Sequence, residues 1–197
     1  MNFNSPMAHI GTVPRSLLES ALEGVLDLEE KKGYNFKHGE WLRLDSYHNP
    51  EGYLIENIAG QDLVDHVMSY FPGNVLFGWS VSYLPGEGSV IDHADRMFFH
   101  RIAKRIIVPI TDTPDILNWH WNRDGTRRNY FFEYGNIYRL NTAYTHGVRS
   151  FNKEIRRAVY FDVIEQRLYD KFKSHPDIVK VILANASGEK YVFQYNQ

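Results

Sequence analysis

Between Val75 and Val163 the chain breaks into seven short apolar segments separated by turn-forming residues, and this constrains the fold more than any other feature. The segments are VLFGWSVSYL (75–84), SVIDH (89–93), RIIVPI (105–110), ILNWHW (116–121), RNYFFE (128–133), NIYRL (136–140) and IRRAVYFDV (155–163). They are rich in β-branched and aromatic residues and too short for helices that bury a face. Residues 85–88, PGEG, close the first segment, and NRDGT with its Asp-Gly turn joins the fourth and fifth as a hairpin. RIIVPI is apolar on both faces, which predicts a strand covered from both sides. Many short strands with regular turns predict an antiparallel sandwich or barrel.

The flanks read differently. Residues 15–31 place Leu17, Leu18, Leu22, Val25, Leu26 and Leu28 at helical spacing, and 61–71 and 165–175 read as two shorter helices. IVKVILA (178–184) and YVFQYN (191–196) flank a Ser-Gly turn and predict a terminal hairpin. No repeat or linker divides the chain. Its 197 residues are read as one domain, 1–197, with a β core at about 75–163 and helices outside it.

The chain has no cysteine, so disulfides and thiolate metal sites are excluded and a metal must be held by His, Asp or Glu. No apolar run reaches the roughly 20 residues of a membrane helix, and the N-terminus lacks the basic and apolar regions of a signal peptide. A soluble, cytoplasmic protein with no membrane partner is expected. The net charge of -2 conceals an uneven distribution. Residues 1–95 carry 5 Lys/Arg against 14 Asp/Glu, and residues 96–157 carry 12 against 5. The basic middle third suits a site for a small anion better than a nucleic-acid surface, because the whole chain is acidic.

Among nine histidines, three stand two residues before an acid. His175-Pro-Asp177 reads as a helix end followed by a proline turn, with no later His to complete a site. His38-Gly-Glu40 reads as a polar loop. His93-Ala-Asp95 follows a strand, and a spacing of two on extended chain puts both side chains on one side. His146, from a distant segment, supplies a third ligand, and two His with one carboxylate make a facial iron site with positions left open. Ten residues after His146 comes Arg156, whose guanidinium fork matches a carboxylate.

These residues resemble the aspartyl/asparaginyl β-hydroxylase family of Fe(II)/2-oxoglutarate-dependent oxygenases, broadly including bacterial proline hydroxylases. The resemblance covers about residues 78–163 and rests on SYLPGEGSVIDHAD, KRIIVPI, GNIYRLNTAYTHGV and RRAVYFDV. The matching features are Pro85-Gly86 before the first His, Arg105 leading into Ile-Ile-Val-Pro109, Gly135 before the strand that precedes His146, and Arg156 with Asp162 six residues on. The last offset selects Arg156 over Arg157. The resemblance implies a double-stranded β-helix (a jelly-roll, cupin-like core), with flanking N-terminal helices and a short C-terminal helix/hairpin extension. It implies Fe(II) on His93, Asp95 and His146, with 2-oxoglutarate as cosubstrate and O2 as oxidant. Arg156 anchors the far carboxylate in that scheme, Arg105 is a second carboxylate-contacting Arg, and Ser82 a hydroxyl toward the cosubstrate. Ile107 stands where some members have a His.

Substrate contacts are expected from Trp119, Trp121 and Arg96, with His100 as a lid residue. Trp119 and Trp121 face one way along their strand and His120 the other. The expected activity is hydroxylation of an amino-acid side chain, free or in a polypeptide. The same chemistry on another small molecule or a nucleobase stays open, as does a non-catalytic cupin-like binding protein. Cupin sites normally use His-x-His, which this chain lacks.

Overall fold

The computed structural model describes residues 6–31, 41–45, 58–83, 89–95, 98–113, 116–151 and 153–179. Ten strands are present: β1 (Met7–Thr12), β2 (Trp41–Asp45), β3 (Gly73–Tyr83), β4 (Ser89–His93), β5 (Lys104–Pro109), β6 (Ile116–Trp121), β7 (Arg127–Phe131), β8 (Asn136–Leu140), β9 (His146–Ser150) and β10 (Arg156–Glu165). The helices are α1 (Arg15–Lys31), α2 (Gln61–Met68), α3 (Phe98–Ile102) and α4 (Gln166–Phe172).

All pairings are antiparallel. A larger sheet has the order β1-β8-β5-β10-β3-β2 and a smaller one β4-β9-β6-β7. From β3 to β10 the chain passes repeatedly from one sheet to the other, so the two sheets close on each other as a double-stranded β-helix. The expected hairpin is present: Trp121 pairs with Arg127 across Asn122–Thr126, with Gly125 at φ 80° in the turn.

Strand alternation gives the larger sheet two apolar faces. Trp79, Val81, Ile107, Ala158 and Tyr160 point inward toward the smaller sheet. Ile106, Val108, Val159 and Phe161 point outward and pack beneath Leu18, Ala21 and Val25 of α1 and Leu63 and Val67 of α2. This explains why RIIVPI is apolar on both sides. One polar group crosses the outer layer: Glu29 of α1, 5% exposed, takes a bidentate bond from Arg157 (2.6 and 3.1 Å) and a hydrogen bond from the Ser82 hydroxyl. That interaction pins the end of α1 to β10 and β3.

Three strands went unread in the sequence. β1 and β2 stand apart from the β-rich run in sequence, β9 carries a single large apolar residue, Val148, and cross-strand pairing decides their state. β9 is held on both sides, by β4 and by β6. The predicted terminal hairpin is altered at its start, because residues 176–179 form a helical turn in which the Ile178 amide bonds to the His175 carbonyl (2.9 Å). The rest of that hairpin, residues 38–40 and Pro85-Gly86 lie outside the described residues.

The outer layer depends on β10, so Phe161→Ala should cost about 3–5 kcal/mol by opening a cavity beneath the helices. Urea denaturation measures this as a lower midpoint at unchanged slope. A loss under about 1 kcal/mol would mean the helices do not share this core.

Candidate metal centre

The site begins with an irregularity in the smaller sheet. Val90 pairs with Val148 and His93 with His146, so Ile91 and Asp92 together oppose Gly147. This bulge re-aims the strand. Ile91 is thrown out to 78% exposure while His93 turns inward beside His146, their rings 4.3 Å apart. Asp95 follows on extended chain, its amide bonded to the Thr142 carbonyl (3.0 Å).

His93, Asp95 and His146 offer ligand atoms that all lie within 4.8 Å of one another. His93 Nδ1 donates to the Ile91 carbonyl (2.8 Å) and His146 Nδ1 to the Tyr144 carbonyl (2.9 Å). Carbonyls accept only, so each ring carries its proton on Nδ1 and presents the Nε2 lone pair as the ligand. His93 Nε2 lies 3.8 Å from Asp95 Oδ1. Two imidazoles and one carboxylate on one side of a centre fit a divalent metal with open coordination positions.

Electrostatics prepare these ligands. Burial pushes the His146 imidazole down to about 4, below the ordinary histidine range, so it is neutral at physiological pH. Burial alone would raise the Asp95 carboxyl, but Arg105 overcomes it, with help from His100 and the ligand histidines, and holds it at about 2. Arg105 Nη1 lies 2.8 Å from Asp95 Oδ2, while its Nε and Nη2 each donate to Asp162 at 3.0 Å. Burial would weaken the Arg105 charge, yet Asp162 and Asp95 raise its affinity for the proton above the ordinary value. The guanidinium also lies 4.7 Å over the Trp79 ring. His100 Nε2 stands 3.9 Å from both carboxylates, close to the ligand set.

Arg156 and Arg157 part at the start of β10. Arg156 pairs with Tyr83 and shares the inner face with Ala158 and Tyr160. It is 2% exposed, and its Nη1 donates to the Tyr160 hydroxyl (3.2 Å). Arg157 faces outward to Glu29. Between the sheets lies a cavity of about 150 Å³ bordered by Trp79, Tyr160, Arg105, Asn118, His120 and His146.

Two expectations are corrected by strand parity. Ser82 does not face the cavity: it pairs with Arg157 on the outer face, and its hydroxyl is committed to Glu29. Trp121 does not line the cavity, and Trp119 borders it from the outer face. Trp119 pairs with Gly147, opposite in parity to His120 and His146, and both Nε1 groups donate to Asp92 on the outer face, that of Trp121 at 2.9 Å. Trp119 reaches the cavity border only across Gly147, where a Cβ would stand 2.4 Å from its ring. Arg96 lies outside the described residues. His175 proves to be a helix-end residue, its ring stacked on Phe98 at 3.9 Å.

Sequence reading missed His120, which is 1% exposed and pairs with His146 on the inner face. Alternation separated it from the tryptophans, but only register across to β9 shows which side is inside. It also missed that Asp162, visible as a spacing mark, is the partner of Arg105.

No protein-family model matches the chain, and no curated protein matches it significantly. Solved structures do. The chain is similar to HygX from Streptomyces hygroscopicus with nickel and 2-oxoglutarate bound, at 13% identity and TM-score 0.60, covering 82% of this chain and 83% of that one. A prolyl hydroxylase from Trichoplax adhaerens in complex with a hypoxia-inducible-factor peptide matches at 11% identity and TM-score 0.60, over 82% and 84%. A Pseudomonas putida prolyl-4-hydroxylase matches at 9% identity and TM-score 0.52, over 83% and 94%. The likeness is one of fold. No helix among the described residues is long and apolar enough to cross a membrane.

Two outcomes follow from the charges. The native state of the metal-free protein binds fewer protons at His146 than the unfolded chain does, because burial depresses the imidazole from its ordinary value of 6.5 to about 4. Its contribution, on the order of 3 kcal/mol, is complete above pH 6.5 and lost as pH falls toward 4. Urea melts at stepped pH should show this slope in the wild type and lose it in His146→Gln. Asp162→Asn leaves Arg105 with one carboxylate and should destabilise the protein by about 3 kcal/mol; a loss indistinguishable from zero would contradict the buried pairing.

Proposed function

We propose that the protein is a non-haem Fe(II), 2-oxoglutarate-dependent dioxygenase that hydroxylates an unactivated C–H, most naturally in an amino-acid side chain, free or within a peptide. The observation that carries this reading is the placement of His93, Asp95 and His146 as one ligand cluster with Arg156 buried on the inner face of the same barrel. The resemblance to the aspartyl/asparaginyl β-hydroxylases, and the fold shared with two prolyl hydroxylases, support the amino-acid substrate.

In this reading the two Nε2 atoms and Asp95 Oδ1 hold iron. When bound, iron supplies activation of O2, coupled to conversion of 2-oxoglutarate to succinate and CO2 and delivery of one oxygen atom to the substrate. The protein's part is placement and exclusion of water. Arg156, bonded to the Tyr160 hydroxyl on the inner face of the barrel, takes the far carboxylate of 2-oxoglutarate by charge-assisted hydrogen bonds. Arg105 keeps Asp95 ionised and holds its second oxygen, so Oδ1 is the one turned to the metal. Trp79 and Ile107 line the cavity with apolar surface.

Anaerobic addition of Fe(II) and 2-oxoglutarate should produce a visible metal-to-ligand charge-transfer band, absent in Asp95→Ala and His146→Ala. No band in the wild type would sink the reading. Arg156→Ala should raise the 2-oxoglutarate concentration giving half the band about 10- to 100-fold, from loss of a charged hydrogen bond, while iron affinity is kept. An unchanged requirement would show that another cation anchors the cosubstrate.

A further inference from the structure

We propose that His120 is the residue that selects the primary substrate, its Nδ1 accepting a hydrogen bond from an N–H or O–H group close to the carbon attacked. The inference rests on the oxygenase reading for the reaction, but on geometry alone for the chemistry of the contact. His120 lines the cavity, pairs with the ligand His146 across the smaller sheet, and is 1% exposed. Its Nδ1 is buried without a hydrogen-bond partner among the described residues. A bound group must fill that need, since a buried polar atom without a partner is costly.

What that group must offer is set by a chain of hydrogen bonds of fixed direction running in from the β6–β7 turn. The Asp124 carboxylate can only accept, and it takes the Thr126 hydroxyl hydrogen at 2.7 Å. Thr126 Oγ1 must therefore accept from Asn122 Nδ2, at 2.9 Å. This turns the Asn122 carbonyl oxygen to His120 Nε2, at 3.0 Å. Nε2 thus carries the proton, and Nδ1 of the neutral ring presents a lone pair. The Tyr130 ring stacks on the imidazole, 5.1 Å away and tilted by 17°, and its hydroxyl oxygen, 3.4 Å from Nε2, is a second acceptor for that N–H.

A lone pair repels carboxylate oxygens, so 2-oxoglutarate does not satisfy it. A hydroxyl, amide or ammonium group does. Asn118 stands two residues away on the same face, and its Nδ2 donates to the Ile116 carbonyl (3.3 Å), leaving its oxygen as the accepting end. The pair of acceptors suits a group with two hydrogens, a primary amide or an ammonium.

Nitrogen-15 NMR of histidine-labelled protein tests this. The protein is loaded with Zn(II) and 2-oxoglutarate and titrated with L-prolinamide, N-acetyl-L-asparagine amide and L-lysine, each beside its fully N-methylated counterpart. His120 should show an unprotonated Nδ1 and a protonated Nε2 before any addition. A donor-bearing probe should shift Nδ1, and its methylated counterpart should not. His120→Gln, which keeps an amide near Nε2 but removes the Nδ1 acceptor, should weaken binding of that probe roughly tenfold, while His120→Asn, with an oxygen near the Nδ1 position, restores it. Thermal melts establish that both variants fold. A protonated Nδ1 in the free protein, or no response to any donor-bearing probe, overturns the proposal. Succinate formation by the Fe(II)-loaded wild type, followed separately, judges the oxygenase reading, so the two can fail independently.

Discussion

The site depends on one buried cation. Arg105 lies between Asp162, its cross-strand neighbour on β10, and Asp95, on the chain just beyond β4. A lone guanidinium there would be expensive to bury, and two carboxylates so close would repel each other. Together the three groups satisfy one another, and the geometry they accept is narrow. The fork toward Asp162 is bidentate, which leaves Nη1 as the point that meets Asp95. The position of the acidic metal ligand is thereby set by β5 and β10 of the larger sheet, although the two histidines come from the smaller one. The candidate metal centre is a junction between the sheets, and Arg105 ties the two sides together.

Strand parity then divides chemistry from scaffolding. At the start of β10, adjacent arginines go to opposite faces: Arg156 into the barrel beside Tyr160, Arg157 out to Glu29 of α1. On β6, His120 turns inward and the flanking tryptophans outward to Asp92. Each inner residue is held in place by its outer neighbour, because a strand fixed on one face cannot slip by one residue without exchanging both. The Glu29–Arg157 pair, on the opposite face from the candidate metal ligands, therefore supports the register that aims Arg156 inward.

This parity also explains what could be read in the sequence. Seven of the ten strands announce themselves by apolar content, and His93, Asp95, His146 and Arg156 by spacing along them. Asp162 singled out Arg156 by offset, and the structure places that Arg, not its neighbour, inside. What spacing cannot supply is which face of an isolated strand meets the other sheet. Trp119 and Trp121 were expected as substrate contacts on one face of their strand, and Gly147 opposite Trp119 and the bulge at Ile91–Asp92 make room for their indoles on the outer face. Ser82 misled for the same reason: its parity depends on pairing with Arg157, and the meaning of that pairing depends on a glutamate 53 residues earlier in the chain.

The charges within the barrel add a constraint of their own. Asp95 and Asp162 carry two negative charges, Arg105 and Arg156 two positive ones, and His146 is neutral, so the inner set balances before anything binds. A divalent metal added to these groups brings two positive charges that they do not neutralise. A dicarboxylate dianion cancels them, and Arg156 is a buried cation on the inner face of the same barrel. A monoanion leaves the site cationic. In the proposed reading, metal and 2-oxoglutarate each strengthen the binding of the other by this balance, and by reciprocity the coupling is equal in both directions. In the same reading the acceptor at His120 completes the division: arginines would hold the anion, and the lone pairs of His120 and Asn118 would meet the substrate.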